Sequence, residues 1–360
     1  MESMDAYPPV VIAPVAARAP APARRDLAFE FTGNASEYFR IWIVNTLLTI
    51  LTLGIYSAWA KVRNKQYFYR HLRVDGSSFE YLANPVAILK GRLIAAAALG
   101  LLFGSQYYSP ILYGALLVAL LLVTPWVVVK ALAFNARNSA YRNIRFAFVG
   151  RTGEAAGLYL GMTLLNVVSC GTGLPYVEWR FTSFFVWRHL YGDLPFRWHS
   201  QSSQYYKAYL VALALAVPGF VMLVALMFTL TRGRSPEDMN AVFLPVMAGF
   251  YAYLLVPGAF LRASLANLLY NGMQIGEHRL SSRQRGSELL ALYVTNLLGI
   301  ILSLGLLIPW AKVRLAAYRA RCLTLHATGS LRAERLVDEE HSAIGEGMTD
   351  LGDFDLGIGV

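Results

Sequence analysis

The longest uncharged stretch of the chain places it in a membrane. Residues 93–129, thirty-seven in all, lie between Arg92 and Lys130 and include no charged side chain. As one helix they would measure about 55 Å at about 1.5 Å per residue, which far exceeds the ~30 Å hydrocarbon core of a bilayer. Because Gly104 and Pro110 interrupt the stretch, we predict a hairpin of two transmembrane helices.

A second apolar pair indicates the same class of protein. Residues 208–231 and 239–261 are separated by the polar turn RGRSPED, so a second transmembrane hairpin is predicted over 208–261. Hydrophobic residues make up 56% of the 360-residue chain and charged residues 15%, which excludes an ordinary soluble domain. We therefore predict an all-α polytopic membrane protein.

The net charge of +10 is also explained by the membrane. Short loops rich in Lys and Arg stay on the cytoplasmic side of a membrane. No basic stretch outside the membrane-flanking segments is interleaved with aromatic residues. The predicted partner is therefore the phospholipid membrane, and nucleic acid is not predicted as a partner.

Internal repetition is the most informative feature of the sequence. The segment WAKVR occurs at 59–63 and again at 310–314, and a shift of 251 positions makes 15 of the 36 residues from 37 to 72 identical. A weaker copy begins at residue 148, where FVGRTGE repeats the spacing of FTGNASE from residue 31. Shared apolar composition does not place the polar matches, so duplication explains the pattern.

These repeats define the predicted organisation of the chain. A Pro- and Ala-rich tail, residues 1–26, is predicted to be disordered, and residues 331–360 form a second, acidic and flexible tail that is a candidate docking segment for a protein partner. Between them lies a membrane domain, residues 27–330. It contains three motif copies, 31–81, 148–198 and 282–329, which alternate with the hairpins 93–129 and 208–261.

The first motif copy resembles a known family. It is similar to the YjgN-like family of bacterial multi-pass inner-membrane proteins in Gly33, Asn45, the run TLGIY at 52–56, and Trp59 with the basic and aromatic residues that follow it. The resemblance covers roughly residues 28–330. It implies an inner-membrane location with several spans, and it implies no activity, because the function of the family is unknown.

Length and charge disagree on whether the motifs cross the membrane. Their uncharged stretches of 20 to 23 residues are long enough for three more spans, seven in all. If the motifs instead enter and leave on one side, four spans remain, and 30 of the 32 Lys and Arg residues lie inside, with Arg232 and Arg234 outside. The positive-inside rule favours these re-entrant motifs and a cytoplasmic C-terminus.

Three sets of motif residues are candidates for function. Asn side chains within the apolar stretches either bond neighbouring helices or line a conduction path. Clusters of Trp, Lys and Arg either anchor the chain at the interface or bind a lipid headgroup or another anion. Glycines near the middle of each motif are predicted to bend the helix. The residues are Asn45, Asn166 and Asn296; Trp59, Lys61, Arg63, Trp310, Lys312 and Arg314; and Gly54, Gly173 and Gly305.

The sequence predicts neither a metal site nor a catalytic site. Cys170 and Cys322 give no CxxC spacing, and the six histidines form no HExxH pattern. No cofactor is predicted, and the protein is not predicted to be an enzyme. Two functional hypotheses remain: a passive transporter or channel for an uncharged or lipid-like solute, and a membrane scaffold or lipid-headgroup-binding module.

Overall fold

Helical hairpins alternate with pairs of short strands along the chain. The computed structural model describes residues 24–232 and 236–329, so the predicted tails lie outside the described residues, apart from 24–26. The helices are α1 (Ala35–Leu51), α2 (Ser57–His71), α3 (Pro85–Ser105), α4 (Pro110–Arg137), α5 (Thr152–Val168), α6 (Leu174–Trp187), α7 (Ser202–Thr231), α8 (Pro236–Tyr253), α9 (Leu255–Gly272), α10 (Gly286–Leu302) and α11 (Ile308–Arg321).

The prediction of an all-α protein is wrong, because the helices are accompanied by an 11-stranded sheet. Its strands have only two to six residues, and five of the ten strand pairings join segments on either side of a helical hairpin, so the strands leave little local pattern in the sequence. The strands are β1 (Arg24–Ala28), β2 (Glu30–Phe31), β3 (Leu72–Val74), β4 (Ser77–Tyr81), β5 (Ser139–Tyr141), β6 (Ile144–Phe148), β7 (His189–Tyr191), β8 (Leu194–Trp198), β9 (Met273–Ile275), β10 (His278–Ser282) and β11 (Leu323–Thr328).

The sheet is an almost closed antiparallel ring, called the strand ring below. Its order is β1-β11-β10-β9-β8-β7-β6-β5-β4-β3-β2. The two ends of this order, β1 and β2, are separated in the chain by Phe29 alone. One extended stretch therefore pairs with β11, where Asp26 lies opposite His326, and with β3, where Phe31 lies opposite Leu72.

The pairing register reveals five equivalent units around the strand ring, which we number I to V. In each, the last strand residue before a helical hairpin lies opposite the first strand residue after it, so every hairpin leaves and re-enters the strand ring at one edge. These pairs are Phe31 and Leu72, Tyr81 and Ser139, Phe148 and His189, Trp198 and Met273, and Ser282 and Leu323. Units I to V begin with α1, α3, α5, α7 and α10, so motif copies and transmembrane hairpins are variants of one unit.

Units II and IV contain the long helices. Four helices in the described residues are long and apolar enough to cross a membrane, in agreement with the two predicted hairpins. At most 22% of the apolar stretch of each is buried in the protein, so most of their side chains are available to lipid. Three of them are α3, α4 and α7, which are Pro85–Ser105, Pro110–Arg137 and Ser202–Thr231. The fourth, Ala241–Gly272, runs through most of α8 and all of α9.

The motif copies of units I, III and V form short hairpins. Their first helices, α1, α5 and α10, have 17 residues each, or about 25 Å at about 1.5 Å per residue. This is less than the ~30 Å hydrocarbon core, and each second helix runs back to the strand ring. Both ends of each short hairpin therefore lie at the strand ring, and the re-entrant arrangement of the motifs stays a prediction.

One turn conformation recurs at the tips of the three short hairpins. Leu53, Cys170 and Leu304 have φ values of 49 to 51°, and the glycine that follows each has a φ of 85 to 92°. Two of these glycines are the predicted bends Gly54 and Gly305. In unit III the positive φ belongs to Gly171, whereas the predicted Gly173 directly precedes α6.

The interior of the strand ring is filled by buried apolar side chains, which we call the ring core. Two of its tyrosines also close gaps between strands: the Tyr141 hydroxyl donates to the Val74 carbonyl at 2.8 Å, and the Tyr191 hydroxyl donates to the Tyr141 carbonyl at 3.1 Å. The ring core comprises Phe29, Leu72, Val74, Tyr141, Tyr191, Phe196, Trp198, Met273, Leu280, Leu323 and Leu325.

We expect Gly33→Ala and Gly150→Ala to lower the free energy of unfolding by about 1–3 kcal/mol each, because an added methyl group overpacks these sites. A Cβ at either position would lie 2.5 to 2.6 Å from the ring of the aromatic residue two positions earlier, Phe31 or Phe148. Thermal unfolding of the purified protein in one detergent measures the effect. Gly100→Ala is the control, since nothing lies within 4 Å of a Cβ there; an equal loss in the control would contradict the packing argument.

Candidate functional site

A cavity of about 540 Å³ lies among the helices of units II to V, beside the strand ring. Tyr205 and Tyr270 line it and also pack against the ring core, so the ring core closes the cavity at that end. Most of the remaining wall is aromatic or aliphatic, with contributions from Leu132, Tyr159, Val177, Phe181, Phe184, Phe185, Leu265, Ala266, Leu269, Leu289 and Tyr293.

Three charged side chains also line this cavity: Glu178 of α6, Arg262 of α9 and Arg319 of α11. Glu178 and Arg262 are exposed, yet the protein around Glu178 removes much of its water. This desolvation raises the pKa of Glu178, and the positive charge of Arg262 partly opposes the shift. Tyr209 of α7 lies within electrostatic range of both groups. The cavity is therefore amphipathic, with a polar cluster against an apolar wall.

The repeat places these charged residues at equivalent positions of their units. Glu178 and Arg262 each lie eleven positions before the first residue of the strand that follows, and so do the predicted residues Lys61 and Lys312. The sequence comparison did not find Glu178 and Arg262, because it relied on shared residues in the weaker copy and treated 208–261 as a transmembrane hairpin separate from the motifs. The alignment of all five units by strand register is the signal that finds them.

The predicted Asn residues bond within their own hairpins. Asn45 is 2% exposed, and its Nδ2 donates to Asn64 Oδ1 at 3.1 Å, between α1 and α2. Asn296 is 7% exposed, and its Nδ2 donates to the Ala311 carbonyl at 3.3 Å, between α10 and α11. These contacts join the two helices of one hairpin, and the role of the Asn residues stays a prediction.

Asn166 is not equivalent to the other two. Its carbonyl accepts a hydrogen bond from the Gly171 amide at 2.9 Å, as the Thr49 carbonyl does from the Gly54 amide at 2.8 Å. It therefore corresponds to Thr49, one helical turn closer to the hairpin tip than Asn45.

The predicted basic residues are partly engaged in local contacts. The Arg314 guanidinium donates to Asn296 Oδ1 at 2.9 Å and lies over the Trp310 ring, 4.4 Å from its centre. Arg63 donates to the Tyr56 hydroxyl at 3.2 Å, and the Tyr56 ring stacks on Trp59 with 6.1 Å between centres. The role of Trp59, Lys61, Arg63, Trp310, Lys312 and Arg314 in binding a headgroup stays a prediction.

One cluster on the strand ring has the order of a catalytic triad. His326 Nδ1 lies 2.6 Å from Asp26 Oδ1, and its Nε2 lies 2.8 Å from Ser281 Oγ. The Asp26 and His326 side chains are 71% and 40% exposed, and the cavity includes none of the three. We interpret this cluster as a clamp that holds β1 on β11 and helps to close the strand ring.

Comparison with known proteins agrees with this architecture. Inner membrane protein YjgN of Salmonella typhimurium strain LT2 is 24% identical over 363 residues, which cover 86% of this chain and 90% of that protein. Inner membrane protein YjgN of Escherichia coli K12 is 34% identical over 131 residues, which cover 34% of this chain and 31% of that protein. No solved structure matches.

The family comparison covers almost the whole described chain. Residues 26–351 match the family described as "Bacterial protein of unknown function (DUF898)". The resemblance to YjgN-like proteins is thereby confirmed, and the relatives named above are inner-membrane proteins. The chain therefore belongs to the DUF898 family of bacterial proteins and, with its apolar helices, is a membrane protein of that family.

Proposed function

We propose that this protein binds a lipid-like amphiphile in the cavity among units II to V, as a lipid-binding module of the inner membrane. The observation that carries the proposal is the composition of the cavity: an apolar wall supplied by several helices, with Glu178 and Arg262 at one level of it. Small-molecule sites are mostly apolar concavities with a few placed polar groups. An amphiphile satisfies both kinds of surface.

The ring core argues against the alternative of a passive pore along the ring axis. Within the described residues, side chains such as Phe29, Phe196 and Trp198 fill the strand ring, and each is at most 6% exposed. A solute that entered the cavity from the helical side would meet this packed core. Retention of a bound molecule therefore fits the geometry better than free conduction.

The orientation in the membrane belongs to the same proposal. The strand ring lies on the cytoplasmic side, because the described loops at the far ends of the long hairpins contain one basic residue, Arg232, whereas the strand ring and the adjoining helix ends contain many. This arrangement puts the C-terminus in the cytoplasm. It also places the cavity near the level of the inner-leaflet headgroups.

We expect the protein to retain phospholipid after extraction in mild detergent, and Ala266→Trp to reduce the retained amount about tenfold, because an indole fills the space that the ligand needs. Ala266 lines the cavity. Native mass spectrometry and lipid extraction measure lipid per protein.

Ala214→Trp is the matched control, since Ala214 is exposed on α7 outside the cavity lining. Thermal unfolding of both variants verifies that they are folded. Equal retention in the two variants would reject the cavity as the binding site. Flux of uncharged solutes into liposomes that contain the wild-type protein would instead support the pore.

A further inference from the structure

Two of the three charged side chains that line the cavity lack direct protein partners. Glu178 and Arg262 influence each other electrostatically, but among the described residues neither takes part in an ion pair within 4 Å or in a hydrogen bond. The third, Arg319, already interacts with another part of the protein. Other charged groups in the same units are paired, as Arg188 and Glu154 are at 2.8 Å. In the described residues the cavity therefore offers a ligand one carboxylate and one guanidinium that no protein group pairs directly.

A charged group that is partly removed from water is stabilised by a partner of opposite charge or by strong hydrogen bonds. Glu178 and Arg262 lie on different helices, α6 and α9, and form no ion pair within 4 Å. A ligand that has an ammonium group at one end and a phosphate at the other satisfies both, because each of its charges meets the opposite one in the protein.

We propose that the cavity selects zwitterionic aminophospholipids, with the ligand ammonium against the Glu178 carboxylate and the ligand phosphate against the Arg262 guanidinium. This proposal rests on the proposed function, since it assigns the headgroup class of the bound amphiphile. The acyl chains lie against the aromatic and aliphatic wall that includes Phe181, Leu265 and Leu269. A purely anionic headgroup would place phosphate near Glu178 without a compensating ammonium.

The test compares headgroups in the full-length protein. The protein is reconstituted into vesicles of equal parts phosphatidylethanolamine and phosphatidylglycerol and extracted in mild detergent, and bound lipid is identified by mass spectrometry. We expect the wild type to retain mainly phosphatidylethanolamine. Glu178→Gln should lower the ratio of bound phosphatidylethanolamine to phosphatidylglycerol about tenfold, because one charge-assisted contact is lost. Arg262→Gln should lower retention of both lipids.

Glu154→Gln is the control for removal of a carboxylate from the same unit, since Glu154 bonds Arg188 and does not line this cavity. A ratio that is unchanged in Glu178→Gln while lipid remains bound would overturn the headgroup assignment and leave the lipid-binding proposal intact. The absence of any bound lipid in the wild type would reject the proposed function itself. Binding of soluble phosphoethanolamine by a wild type that retains no lipid would assign the zwitterion to a soluble ligand and would reject a lipid.

Discussion

Cysteines introduced at Leu53 and Leu304 are expected to remain unlabelled by a membrane-impermeant maleimide from either side of the membrane. The two leucines are 95% and 94% exposed at the tips of short hairpins. An exposed leucine at the end of an apolar helix about 25 Å long belongs in the hydrocarbon interior, since burial of apolar surface away from water is favourable. Labelling of intact and opened vesicles, in a background with Cys170→Ser and Cys322→Ser, measures access.

Two reference positions make the result interpretable. Tyr107 lies between α3 and α4 and is 84% exposed, and Glu277 lies in the turn between β9 and β10. Cysteines at these positions should react from opposite sides, because α3 and α4 connect the strand ring to the far surface. Reaction of the Leu304 cysteine from the Tyr107 side would show that this motif spans the membrane and would restore the seven-span alternative. Denaturation in SDS should expose every cysteine equally.

Trp198→Ala is expected to lower the free energy of unfolding by about 3–5 kcal/mol, the range for loss of a buried aromatic side chain. Trp198 is 4% exposed, and its indole Nε1–H donates to the Leu269 carbonyl at 3.1 Å. Its ring meets Tyr205 edge to face, with 5.9 Å between centres. The substitution therefore opens a hole in the ring core and leaves a carbonyl of α9 without its donor. Denaturant titration in mixed micelles measures the change.

Trp187→Ala is the matched control, because Trp187 ends α6 in the preceding unit and is 48% exposed. Its loss should have an effect below about 1 kcal/mol, as for most exposed positions. If the two variants lost equal stability, the ring core would not be the main source of stability at this end of the molecule. If Trp198→Ala also admitted uncharged solutes into liposomes, the packed core would be identified as the barrier to conduction.

The membrane-spanning helices can be predicted from the sequence, whereas the strand ring cannot. Long uncharged runs such as 93–129 report helices directly, because the bilayer accepts few other structures. Strands such as Leu72–Val74 have three residues, too few for their alternation to distinguish them from a helix end. One local signal was present: Asp75 and Gly76 both adopt positive φ, and the Asp-Gly pair is typical of two-residue β-hairpins.

The candidate site is recognised from the repeat of the strand register, which the identities of the side chains do not show. Units II and IV share few identical residues with the motifs, since their helices are longer and face lipid, and only the strand register aligns Arg262 with Lys61. The predicted Asn45 and Arg314 each make a contact inside their own hairpin, and both recur as identical residues in the other copy. Glu178 breaks the basic pattern of its equivalents, and a search for repeated residues passes over it for that reason.

Closure of the strand ring by Arg24–Ala28 has a consequence for biogenesis. Among the described strands, the one that is translated first pairs with the one that is translated last, Leu323–Thr328. The strand ring therefore cannot close before all five helical hairpins have been synthesised. A truncation after unit IV would remove Leu323–Thr328 and leave Arg24–Ala28 without its partner strand.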